Sequence, residues 1–142
     1  MKVVVAMEDE LWLVPESERK KCIVTGVGPI NVIRALMDVD RNEPIVNIGY
    51  AGSNCIPVGA RVRVGKVKLY HPNVQFSTPD FSLDGEVPCY TSNDFVLSTD
   101  IKEPCVFDME LAYILALGFK NVMAEKIVSD NLSAKDFDKY VR

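Results

Sequence analysis

Apolar residues are arranged in two rhythms along the chain, continuous β-branched runs and helically spaced stripes. Residues 2–7, "KVVVAM", are nearly all apolar and predict a central strand buried on both faces of a parallel sheet. "CIVTGVG" (22–28) and "PIVNIGYAG" (44–52) repeat the pattern, each ending in glycine. Between them "PINVIRALMDV" puts Val32, Leu36 and Val39 on one stripe, with Pro29 suited to a first helical turn. A strand, helix, strand unit of this length predicts a right-handed parallel crossover. "ARVRVGKVKLY" (60–70) alternates small or apolar with basic residues, which predicts a half-exposed strand, or a hairpin interrupted at Gly65, at a sheet edge or rim.

Residues 71–88 carry Pro72, Pro79, Gly85 and Pro88 and predict a loop that covers a neighbouring feature. Three more strands are expected at 89–96, 105–110 and 122–130. A helix between the last two should stop at Gly118, and Ser133 should cap a final helix. The order of elements predicts an α/β fold with a mixed, mostly parallel central sheet flanked by helices, and 142 residues suit a single domain spanning 1–142.

Composition narrows the partners. A net charge of -4 and short basic clusters (19–21; Arg61, Arg63, Lys66 and Lys68) without an aromatic platform argue against nucleic acid. Cysteines 22, 55, 89 and 105 form no CxxC pair, and His71 is the only histidine, so buried thiols in a reducing compartment are expected, with no metal and no cofactor. The N-terminal apolar run is too short for a secretory signal and no stretch approaches a membrane span, so a cytoplasmic location away from membranes is expected.

In open α/β sheets ligands bind beyond the carboxyl ends of the strands. That rule collects Glu8, Asp9 and Glu10 after the first strand, Gly26 and Gly28 after the second, and Gly49 to Ser53 after the third. It adds Ser92 to Phe95, Asp108 to Glu110, and Ser129 with Asp130. Carboxylates accept paired hydroxyls and a separate acid can protonate a leaving group, which suits a sugar-bearing small molecule. Each acid taken singly also reads as a helix cap. Asp108 and Glu110, two apart, serve one site together only at a bend or strand end.

The ordered motifs "VAMEDEL", "TGVGPINV", "VNIGYAGS", "IPVGARVRVGKV", "TSNDFV", "FDMELAYI" and "IVSD" resemble the nucleoside phosphorylase superfamily, especially the 5'-methylthioadenosine/S-adenosylhomocysteine nucleosidases. The resemblance implies that Glu10 activates the attacking water. It implies that Met109 and Glu110 hold the ribose, and that Asp130, with Ser129 beside it, protonates the departing purine at N7. Phe95 and Val96 would flank the base, with Gly49 and Tyr50 beside the sugar. Tyr50 stands where a small hydroxyl residue is usual, Asp108 where a glutamate is usual, and the chain is shorter than most members. A nucleoside partner and a homodimer or larger homo-oligomer are likewise implied. Because Arg34, Arg61 and Arg63 do not match the phosphate arginines of the phosphorylases, hydrolysis is expected over phosphorolysis. A nucleoside-binding protein with weak or no turnover is the other reading.

Overall fold

The computed structural model describes residues 1–71, 73 and 76–141. Its strands are β1 (Lys2–Val5), β2 (Ile23–Val24), β3 (Ile45–Ser53), β4 (Arg61–Leu69), β5 (Phe81–Ser82), β6 (Val87–Thr91), β7 (Val106–Asp108) and β8 (Val122–Asp130). The helices are α1 (Glu16–Arg19), α2 (Pro29–Leu36), α3 (Leu111–Ala116) and α4 (Ala134–Val141), with a 3-10 helix at Glu8–Leu13. All eight strands belong to one mixed sheet. β1 pairs in parallel with β2 and β3, β3 with β8, and β6 with both β4 and β7, whereas β3–β7, β4–β8 and β4–β5 are antiparallel.

The pairings close a ring. β3 is bonded to β1 through its first half and to β7 at Gly52 and Ser53, while β8 runs along its other side. The circuit β3, β8, β4, β6, β7 therefore returns to β3, and β1 with β2 extends from it. Alternation along β1 divides the core: Val4 joins the cluster built on Val32, Leu36, Leu111 and Ile114, while Val3 and Val5 pack with Val14, Ile48 and Ile127. Each such fully buried aliphatic side chain contributes about 1.5–3 kcal/mol of transfer free energy.

Helix α2 forms where its stripe predicts, with Val32 and Leu36 buried, and stops at Leu36. The Arg41 guanidinium then donates to the carbonyls of Met37 and Leu117, tying the ends of α2 and α3 together. Gly118 adopts a φ of 92°, the left-handed conformation that ends α3, and Asp136 N–H donates to Ser133 Oγ at 3.2 Å at the start of α4.

Several expectations need correction. β4 continues through Gly65 as one strand, with a shift of register against β6 between Val64 and Val67, and lies inside the sheet, with β6 on one side and β8 and β5 on the other. Glycine is required at 65 because a Cβ there would meet Gly85 O at 2.6 Å; the position marks a close backbone approach and no chain reversal. The 71–88 segment is loop only in part. Phe81–Ser82 is paired with β4, and Leu83 and Gly85 N–H groups donate to Gly65 and Val64 carbonyls; Pro72, Val74 and Gln75 lie outside the described residues. The strands expected at 89–96 and 105–110 end at Thr91 and Asp108, where the chain turns into the crevice. Cys89 and Cys105 are buried, but Cys55 is exposed and Cys22 half-buried.

Candidate active site

The carboxyl ends of β1, β3, β7 and β8 border a cavity of about 220 Å³. After β1 the chain passes Ala6 and Met7 and coils into the 3-10 helix, which returns the Glu10 side chain toward the strand end. Glu10 is buried. Its Oε1 accepts from the N–H groups of Ala6 (2.7 Å) and Met7 (3.0 Å), and its Oε2 from Tyr50 N–H (2.7 Å). Gly49 makes room for it, since a Cβ at 49 would stand 2.7 Å from Oε2. Burial raises the Glu10 carboxyl above its ordinary value, and the Lys126 ammonium and the three amides oppose that rise.

At the end of β7, Asp108 turns inward and down. Its Oδ1 accepts from Thr91 Oγ1 (2.5 Å) and Cys89 Sγ (3.4 Å), while Oδ2 accepts Leu111 N–H (2.8 Å) and lies 3.1 Å from Lys126 Nζ. It thus caps α3 and neutralises a lysine. Burial alone would raise the Asp108 carboxyl; Lys126, Thr91 and Leu111 N–H outweigh it and hold the group below the usual value. Lys126 itself donates to Asn47 Oδ1 at 2.7 Å. Burial would lower the ammonium, but Asp108 and its acidic neighbours push it up, so it stays charged.

Glu110, two residues on, faces the cavity. Its Oε2 accepts Gly28 N–H at 3.1 Å, and Oε1 makes no hydrogen bond among the described residues. Burial, with the Asp108 charge added, pushes its carboxyl up to about 8. Met109 lines the same cavity between the two acids.

Asp130 ends β8, with Ser129 Oγ donating to its Oδ1 (2.8 Å) and the N–H groups of Leu132 (2.9 Å) and Ser133 (3.3 Å) donating to Oδ2. Leu132 takes a left-handed φ of 63°, which lets these amides wrap back onto the carboxylate. Burial raises the Asp130 carboxyl and the three donors pull against it. Opposite, Gly52 is so close that a Cβ would meet Asp130 Oδ2 at 2.9 Å.

Aromatic rings close the cavity's remaining side. Tyr50 meets Phe137 and Tyr140 of α4 edge-on, at centroid separations of 6.5 and 6.1 Å, and Phe95 meets Phe137 at 5.8 Å. The structure therefore brings Glu10, Tyr50, Phe95, Met109, Glu110, Ser129 and Asp130 around one space. Gly49 stands behind Glu10, and Val96 borders a smaller cavity of about 30 Å³ beside Asp130. Among the described residues no cluster of His, Cys, Asp and Glu could hold a metal ion.

Sequence reasoning missed Lys126, Asn47 and Phe137. The first two had a signal: a lysine in "AEKIVSD" and an asparagine in "IVNIG" interrupt runs that are otherwise strand core. Phe137 had none beyond its place after a capping serine.

No protein-family model matches the chain, and no curated protein matches it in sequence. Solved structures do match in fold. An S-adenosylhomocysteine nucleosidase from Streptococcus pyogenes, in complex with 5-methylthiotubericidin, aligns at a TM-score of 0.76 over 99% of this chain and 88% of its own, with 17% identity. A 5'-methylthioadenosine/S-adenosylhomocysteine nucleosidase from Colwellia psychrerythraea, in complex with adenine, gives 0.77 over 99% and 87%, with 16% identity. The futalosine hydrolase of Helicobacter pylori gives 0.75 over 99% and 89%, with 13% identity. The chain has the fold of these nucleosidases, the nucleoside phosphorylase fold that its ordered motifs imply.

Proposed function

We propose that this chain cleaves the N-glycosidic bond of a purine nucleoside or thionucleoside by hydrolysis. The observation that carries the reading is the convergence of Glu10, Glu110 and Asp130, delivered by three separate strand ends, on one cavity. Breaking a glycosidic bond through an oxocarbenium-like sugar calls for an acid beside the leaving group and a base beside the incoming water. Asp130, raised by burial and bordering the smaller cavity as well, takes the base side; it protonates the purine as the bond breaks. Glu10 takes the water side, where Oε2 keeps an acceptor position beyond the one Tyr50 N–H uses. Met109 and Glu110 hold the ribose between them, with Phe95 against the base and Val96 at its edge. Ser129 orients Asp130, and Gly49 and Tyr50 set the position of Glu10.

Water is favoured over phosphate by what the backbone amides already do. Gly28, Ala6, Met7 and Tyr50 N–H groups, which would otherwise form an anion cradle at the strand ends, each donate to a carboxylate. Arg61 and Arg63 pair with Glu125 and Asp84 on the surface. A phosphate-sized anion there would find these four amides already donating to Glu10 and Glu110.

Release of free purine from methylthioadenosine, adenosine and inosine in phosphate-free buffer, beside an Asp130→Asn control, tests the reading. Release that the control loses supports it. Binding without release would favour a nucleoside-binding protein, a reading the three donors on Asp130 also support because they stabilise its ionised form.

A further inference from the structure

Beyond the main cavity the crevice continues. The 30 Å³ cavity shares Asp130, Phe107, Met109 and Phe95 with the main one, and on its far side it is bounded by Asp94, Phe95 and Val96. The same three residues form the inner wall of a third cavity of about 270 Å³, whose outer lining includes Tyr70, His71, Asn93, Leu97 and Ser98. Three spaces are thus strung outward from the proposed leaving-group acid. Only the Asp94–Val96 segment stands between the second and the third.

Purine geometry gives that line a meaning. N7 and the substituent at C6 lie on the same edge of the ring system, so a base whose N7 meets Asp130 directs its 6-substituent toward the small cavity. The space there exceeds the roughly 10–15 Å³ a single water needs, and holds an amino or oxo group and little more. Anything longer must pass Phe95 and Val96. The partition is a short non-helical, non-strand segment for which no backbone–backbone hydrogen bond is seen at 95–98 among the described residues, and Phe95 rests edge-on against Phe137. Beyond it, Tyr70 and the exposed Leu97 offer apolar surface, and His71, Asn93 and Ser98 offer polar groups.

We propose that the chain accepts purine nucleosides carrying an alkyl or aralkyl group on the 6-amino nitrogen, with the stem of that group passing Phe95 and Val96 and its end in the Tyr70–Ser98 cavity. The proposal rests on the nucleosidase reading and on Asp130 meeting N7. It makes the third cavity a substituent subsite and the Phe95–Val96 segment its gate.

The test compares N6-benzyladenosine with adenosine, reading both base release by the wild type and binding to the Asp130→Asn variant. The expected ratio of kcat/KM for the two substrates lies within about tenfold of one, and Ser98→Trp, which fills the outer cavity, lowers that ratio at least about tenfold. Cleavage of adenosine with N6-benzyladenosine neither bound nor cleaved overturns the subsite and leaves the nucleosidase reading standing. An unchanged ratio in Ser98→Trp also overturns it, because the benzyl group then lies elsewhere. Neither nucleoside bound nor cleaved by folded protein overturns both readings together.

Discussion

Lys126 Nζ lies 3.1 Å from Asp108 Oδ2, and both side chains are sealed from solvent beneath the cavity that Glu10, Glu110 and Asp130 surround. One ammonium therefore underlies three of the four acids at this end of the sheet, held by Asn47 and Asp108 and adding its field to Glu10 and Glu110. Removing one partner of such a pair leaves an uncompensated buried charge, which typically costs about 3–5 kcal/mol. Lys126→Met should lose stability of that order in urea unfolding. The double variant Lys126→Met with Asp108→Asn should recover a substantial part of it. A loss under about 1 kcal/mol in the single variant would mean that Asp108 is balanced by Thr91 and Leu111 N–H alone.

Glu110 makes the stability of the free protein depend on pH. Its carboxyl is raised from 4.5 to about 8 in the folded state, so between those values the folded chain binds more protons than the unfolded one. Stability then falls as the pH rises: the penalty is absent below about 4.5 and complete above about 8. Glu110→Gln, which imitates the neutral acid, should flatten this part of the profile. Chemical denaturation at several pH values decides it, and an identical slope in both proteins would place the proton elsewhere.

On the proposed mechanism Asp130 supplies the proton that the leaving base takes. General acid assistance is worth about a hundredfold to ten-thousandfold, so Asp130→Asn should lower kcat by that factor. The cavity is otherwise preserved, and nucleoside affinity in equilibrium titration should change far less. A parallel loss of affinity and turnover would make Asp130 a binding group.

Gly49 protects the Glu10 carboxylate. A methyl at 49 would stand 2.7 Å from Oε2, and that oxygen is fixed by Tyr50 N–H while its partner is fixed by two further amides. Gly49→Ala should displace the carboxylate and lower kcat, with Glu10→Gln lowering it by a comparable factor. Wild-type turnover in Gly49→Ala would show that the carboxylate's position is not critical.

The strands read well from sequence where a run was buried on both faces, as in β1, β3 and β8, because continuous β-branched residues have few other places to go. β4 was misplaced because its basic residues alternate as an edge strand's would; Arg61 and Arg63 instead reach solvent ion pairs from a strand with neighbours on both sides. The crevice acids were collected by the strand-end rule alone, yet that rule could not separate Asp108 from Glu110. Their separation depends on Lys126 and on the α3 amides, partners distant in sequence or defined only once the chain turns. Phe137 closes the cavity, with Tyr140 against the Tyr50 ring, and neither is legible in the sequence, since a solvent-facing helix with no fully buried residue gives no core pattern to read.

On the proposed reading water, and no phosphate ion, captures the sugar. The direct measurement is the identity of the sugar product when purine is released in the presence of excess inorganic phosphate. Hydrolysis gives the free sugar, formed at a rate that phosphate does not alter. A sugar 1-phosphate, or release that requires phosphate, would contradict it.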